Sequence, residues 1–164
     1  MRWLKGCFFL YLCCLFSPQD VFAAPAKGSS ANFVATDLRG RVIELKNYRG
    51  KVVLVDFWAS WCEPCKVAMP FYQELQKQFP EKLVVLGVSL DEDREALHAA
   101  LRKRPVDFKI LHDPSGKIAE YFSVEAMPSS FILDAKGRVQ FEHHGFVEAD
   151  KASIIEWIQG VLTK

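Results

Sequence analysis

The sequence predicts an α/β domain, a central sheet covered by helices, and three observations carry that reading. Val52 to Trp58 and Leu83 to Ser89 are nearly continuous apolar runs, the pattern of strands buried on both faces. Between and after them lie segments with apolar residues at helical spacing, so strand and helix alternate. The chain has 164 residues, half of them apolar and a quarter charged, which fits one domain with a real core.

In chain order, residues 24–31 are small and polar and read as a flexible lead-in to a domain spanning 32–164. Phe33-Val34-Ala35, a turn at Leu38-Arg39-Gly40 and Val42 to Leu45 predict a short hairpin. Val52–Trp58 is the first buried strand. Cys62 to Phe79 predicts a helix, with Phe71, Leu75 and Phe79 along one face and a kink at Pro70. Leu83–Ser89 is the second buried strand, and Asp91 or Asp93 can cap a helix running to about Arg102. Phe108 to Leu111 predicts a short strand, Asp113-Pro114-Ser115-Gly116 a turn, and Lys117 to Phe122 a short helix. Ser129–Leu133 and Arg138–His143 flank a hairpin turn at Asp134–Gly137. Lys151 to Leu162, with Ile154, Ile155, Ile158 and Leu162 apolar, predicts a closing amphipathic helix.

The first 23 residues read as a cleaved signal peptide: Arg2 and Lys5, an apolar run from Cys7 to Phe16, and a small-residue site ending Val21-Phe22-Ala23. That run is about ten residues, short of the roughly 20 a membrane-spanning helix needs. The expected location is the periplasm; the alternative is an uncleaved segment anchoring the domain to the outer face of the cytoplasmic membrane. Neither Cys13 nor Cys14 follows the small residue that lipid modification needs. Formal charge is +1, and removing Arg2, Lys5 and Asp20 leaves a neutral domain, so nothing electrostatic supports nucleic-acid binding.

Cys7, Cys13 and Cys14 leave with the signal segment, and Cys62 and Cys65 remain. A disulfide closing so small a ring stabilises by only about 2 kcal/mol, against about 4.7 for a hundred-residue loop. It is a poor staple and a better redox couple. Cys62 follows a buried strand and opens a helix, where unpaired N–H groups and the helix dipole stabilise a thiolate. Cys65 lies three residues on, placed to resolve a mixed disulfide. Pro64 suits the first helical turn. Glu63 works against the thiolate by its charge. The competing readings are an inert buried pair or a zinc half-site, but four-ligand zinc needs partners that His112, His143 and His144 do not offer at helical ligand spacing.

Val55-Asp56-Phe57-Trp58-Ala59-Ser60-Trp61-Cys62-Glu63-Pro64-Cys65-Lys66 resembles the thioredoxin active-site strand and motif. The wider layout resembles the TlpA/ResA-like branch of exported thioredoxin-fold proteins. The resemblance implies a thioredoxin fold: a central mixed sheet covered by helices, with an N-terminal β-hairpin over Asn32–Gly50 and a central insertion from about Asp91 to Gly116. It also implies a cis-proline at Met127-Pro128, facing the disulfide and leaving the preceding backbone free to pair with a substrate strand.

Asp56 interrupts an apolar strand, where an unpaired charge costs several kcal/mol, so its pKa should rise. Its position matches the buried acid that, by resemblance, exchanges protons with Cys65; a structural pairing with Lys51 or Lys66 is the alternative. The chain departs from many TlpA/ResA-like proteins in carrying Ala68 where they have glutamate, and Asp56 where they often have asparagine. The catalytic residues expected are Cys62, Cys65 and Asp56, and the substrate-binding residues are Trp61, Glu63, Pro64, Met127 and Pro128. No cofactor or metal is expected.

The resemblance implies a protein-disulfide reductase acting on client proteins with disulfides, recharged by a membrane-embedded thiol electron donor, and a monomer. Two alternatives use the same fold. A peroxiredoxin-like peroxidase needs Thr or Ser three residues before the reactive cysteine, where this chain has Ala59. A copper carrier would use the two thiolates with a histidine.

Overall fold

The computed structural model describes residues 24–163. The signal-peptide reading, with Cys7, Cys13 and Cys14, lies outside the described residues. The strands are β1 (Val34–Asp37), β2 (Val42–Glu44), β3 (Val52–Trp58), β4 (Leu83–Ser89), β5 (Lys109–His112), β6 (Ser129–Leu133) and β7 (Val139–His144). The helices are α1 (Glu63–Gln78), α2 (Arg94–Lys103), α3 (Lys117–Tyr121) and α4 (Asp150–Leu162), with a 3₁₀ turn at Leu45–Tyr48. All seven strands form one mixed sheet in the order β2-β1-β5-β4-β3-β6-β7.

Every residue of β3 is buried, because β4 runs parallel on one side and β6 antiparallel on the other while both faces are packed. Side-chain alternation divides its residues between two cores. Val52, Leu54 and Trp58 pack with Met69, Tyr72 and Leu75 of α1, Leu97 of α2, and Ile154 and Ile158 of α4. Val53, Val55 and Phe57 pack with Leu111, Phe122 and Phe131. Full burial of such a side chain stabilises by about 1.5–3 kcal/mol, so this strand anchors the domain.

The N-terminal hairpin and the central insertion join the sheet together. The insertion contributes β5, which lies between β4 and β1, so the hairpin reaches the sheet through it. The hairpin turn is closed by Asp37, whose Oδ1 accepts from the Arg39 and Arg41 N–H groups and whose Oδ2 accepts from Arg41 Nε.

Two readings need correction, and one choice is decided. Residues 28–31 are tied down: Gly28 N–H donates to Val139 O, Val139 N–H to Ser29 O and Ala31 N–H to Gly137 O. Arg49 adds a hydrogen bond to Ala31 O at 2.9 Å. These bonds are mostly backbone to backbone, so the small polar composition concealed them. On α1 the buried stripe is Cys65, Ala68, Met69, Tyr72 and Leu75, while Phe71 and Phe79 sit at its edge. Asp93 caps α2 by accepting from Glu95 N–H, and Asp91 does other work described below.

Candidate active site

β3 delivers the chain to the end of the sheet at Trp58, a turn follows, and Cys62 becomes the N-cap of α1. Cys62 Sγ accepts from Cys65 N–H at 3.3 Å, and the two sulfurs form a disulfide. Pro64 occupies the first turn, where its missing N–H leaves no helical bond unmade. Cys62 retains 5% of its surface and Cys65 none, whereas Trp61 beside them is 68% exposed. Both cysteines are buried, and only Cys62 keeps any exposure, beside the exposed Trp61.

The turn before Cys62 is braced by Asp91. Its carboxylate accepts from Ser60 N–H at 3.0 Å, from Ser60 Oγ at 2.6 Å and from Ser89 Oγ at 2.8 Å. The His112 ring bonds Asp91 O at 2.7 Å. The sequence marked Asp91 only as a possible helix cap, because Ser60, the turn residue it holds, lies 31 residues away.

Glu63 is paired with Lys66, one helical turn on. The Lys66 hydrogen bond, then its charge, holds the Glu63 carboxyl below its usual range, and burial opposes this weakly. The lysine offsets the negative charge beside Cys62 that the sequence left unexplained.

Asp56 is completely buried, and neither of its oxygens has a hydrogen-bond partner among the described residues. Burial alone pushes its pKa well above the usual carboxylate value. Lys51 pairs with Glu81 and Lys66 with Glu63, so neither acts as its counter-ion. Position 68, on the buried stripe of α1, is filled by a fully buried alanine, so Asp56 is the carboxylate on the core face that carries the cysteines.

At the start of β6 the Met127–Pro128 peptide is cis. β6 begins opposite Phe57, the penultimate residue of β3, which brings this loop to the end of the sheet where Cys62 lies. Met127 packs against the core that contains both cysteines. Its N–H and C=O make no hydrogen bond among the described residues, while Pro128 O accepts from Gly145 N–H. Ser129 Oγ donates to Ala126 O at 2.6 Å and contacts His144 Nδ1 at 2.8 Å, and His144 Nε2 meets Glu142 at 2.7 Å. This bracing escaped the sequence reading, for only the register of β6 on β7 brings it together.

Beside the disulfide a groove of about 660 Å³ runs between α1 and α2, with Trp58, Glu63, Lys66, Met69 and Arg104 in its walls. Among the described residues no group of three or more His, Cys, Asp and Glu side chains is placed to hold a metal ion. No described helix is long and apolar enough to cross a membrane.

The AhpC/TSA family model matches residues 27–142. The thiol-disulfide oxidoreductase ResA of Bacillus thuringiensis subsp. konkukian is 35% identical over 131 residues, covering 79% of this chain and 75% of its own. Among solved structures, a DsbE-type thiol:disulfide interchange protein from Chlorobium tepidum is 33% identical with a TM-score of 0.81, covering 85% of this chain and 99% of its own. The exposed lipoprotein thioredoxin Etrx1 of Streptococcus pneumoniae strain TIGR4 is 29% identical with a TM-score of 0.70, covering 79% and 99%. With its Cys-x-x-Cys disulfide at the head of a helix on a thioredoxin fold, the chain belongs to the AhpC/TSA family and is a ResA-like thiol–disulfide oxidoreductase.

Proposed function

We propose that this protein is exported to the periplasm and reduces disulfides in client proteins, receiving electrons from a membrane-embedded thiol donor. The observation that carries the reading is the asymmetry of the pair: Cys62 keeps slight exposure beside the exposed Trp61, while Cys65 is sealed on the core face that also holds the unpaired acid Asp56. In the reduced protein the Cys62 thiolate attacks a client disulfide, forming a mixed disulfide and releasing one client thiolate. Cys65 gives its proton to the Asp56 carboxylate and attacks Cys62 Sγ. The second client thiolate leaves, and Cys62–Cys65 becomes the disulfide. The membrane donor returns two electrons and two protons. Burial raises the Asp56 pKa, which makes its carboxylate a stronger base toward the Cys65 thiol.

Trp61, Glu63 and Pro64 form the surface that meets the client, and the unused Met127 N–H and C=O pair with its backbone beside Pro128. Ala59 is buried and has no hydroxyl to offer a peroxide, which disfavours peroxidase chemistry. Export rests on the signal-like N-terminus, cut before Ala24. The mature protein acts as a monomer.

The test is Cys65→Ala, which strands the Cys62 mixed disulfide so that exported clients can be captured and identified. The reduction potential of the wild-type pair completes it. A value near the thioredoxin range of about −270 mV supports a reductase, and one near about −120 mV, the range of strong oxidants, refutes it. N-terminal sequencing of the exported protein should begin at Ala24; retention of Met1 in the membrane fraction would mean anchoring.

A further inference from the structure

Asp56 must lose its own proton before it can take the one on Cys65, and its carboxyl has no solvent exposure. Sheet register lays out a path. Asp56 on β3 stands directly opposite Ser130 on β6, and Ser130 stands directly opposite His143 on β7. Directly opposed residues in antiparallel strands have Cβ atoms about 4.5–5.5 Å apart on one face. Leu54, Trp58 and Ile132, two residues along from members of this row, belong to the core under α1 and α4, so the row faces that core. Trp157 of α4 lies over the His143 ring at 5.7 Å.

Tyr72 of α1 covers the row. It is fully buried, and its hydroxyl feels the Asp56 charge and lies within reach of Ser130. Five buried side-chain polar atoms make no hydrogen bond among the described residues; both Asp56 oxygens and Tyr72 Oη are three of them, and a fourth, His143 Nε2, has the Asp150 carboxylate beside it. Each such atom costs about 1–3 kcal/mol, so a concentration of them along one row calls for a functional reason. At the outer end His143 Nε2 lies 3.2 Å from Asp150 Oδ2, and both side chains there reach solvent, at 20% and 25% exposure.

We propose that Asp56 exchanges its proton with solvent along this row, through the Ser130 and Tyr72 hydroxyls to His143. The idea rests on the role given to Asp56 above and extends it. A hydroxyl can accept and donate at once. The Asp56 carboxyl gives its proton to a hydroxyl oxygen while that hydroxyl gives its own to the neutral His143 ring. The imidazolium, beside the Asp150 carboxylate, releases the proton to water. The net change is one proton carried from Cys65 to solvent, with no electrons moved and the row restored. The titratable and polar groups along the row are Cys65 and Tyr72 from α1, Ser130 from β6 opposite Asp56, His143 from β7 opposite Ser130, and Asp150 from α4 beside His143. β4 presents Gly87 and α2 the apolar Leu97, so neither adds a charge.

The experiment follows resolution of the Cys62 mixed disulfide with glutathione, by quenched mass spectrometry and Trp fluorescence, from pH 6 to 8. The variants are Asp56→Asn, Ser130→Ala with Tyr72→Phe, and His143→Ala. The Ser130/Tyr72 variant loses only two hydroxyl oxygens, and it should resolve about tenfold more slowly with an unchanged reduction potential. His143→Ala should slow to a similar degree and recover in imidazole buffer but not in salt of equal ionic strength. Wild-type rates in both, beside a slow Asp56→Asn, would overturn the relay and leave the role of Asp56 standing. So would a slow His143→Ala that imidazole does not restore. A wild-type rate in Asp56→Asn would instead overturn the role of Asp56 itself.

Discussion

Replacing Asp56 with Asn should make the stability difference between variant and wild type depend on pH in one direction only. Burial raises the folded-state pKa of Asp56 well above its ordinary value, while in the unfolded chain it titrates near about 3.9. Between those two values the folded protein holds one more proton than the unfolded chain. Wild-type stability therefore falls as pH rises through this window, by about 1.4 kcal/mol per pH unit. Below the unfolded value both states are protonated and the effect vanishes; above the folded value the loss levels off. Two pH units inside the window amount to about 2.7 kcal/mol, a large part of the roughly 5–15 kcal/mol that holds a domain together. Asparagine does not titrate, and its amide also lacks partners, so the absolute offset carries no information and the slope carries all of it. Asp37, Glu63 and Asp150, whose pKa values are lowered, are common to both proteins and cancel. Urea unfolding of the oxidised forms from pH 4.5 to 8.5 measures the difference. A pH-independent difference would falsify the claim that Asp56 is a buried acid with a raised pKa, and with it the proton transfer from Cys65.

Glu63→Gln removes the negative charge and frees Lys66 beside Cys62, and iodoacetamide should then alkylate the reduced protein about two- to threefold faster at low salt; an unchanged rate would mean that neither charge acts on the Cys62 sulfur. Gly87→Ala places a Cβ 2.9 Å from both Ile110 Cδ1 and Phe108 Cε2, so the urea midpoint should drop by the equivalent of about 1–3 kcal/mol; a wild-type midpoint would show that the core yields there. Asp91→Ala strands the Ser60 N–H and both serine hydroxyls that it accepts from. The expected loss is about 1–3 kcal/mol, and an unaltered denaturation curve would remove Asp91 as the brace of the turn before Cys62.

The strands that hold the site were legible because they are covered on both faces. Val52–Trp58, Leu83–Ser89 and Ser129–Leu133 occupy the ranges their apolar runs predict. Edge elements were less distinct: Leu45 opens a 3₁₀ turn rather than ending β2, and β5 is shifted one residue from its predicted range. Half-exposed segments carry weaker hydrophobic patterns, and neighbours decide their limits. Residues 28–31 went unread because what docks them is their backbone.

By itself the sequence determined the alternation of strand and helix, the redox pair Cys62 and Cys65, and the anomaly of an acid at position 56. These are local: composition, period and spacing contain them. Only the tertiary structure decided which cysteine keeps any exposure, that Lys51 and Lys66 go to Glu81 and Glu63 instead of Asp56, and that Asp91 braces the turn before Cys62. It alone set Ser130 and His143 in a row with Asp56. Each depends on strand register between segments far apart in sequence, and a shift of one residue would turn every side chain in that row to the opposite face.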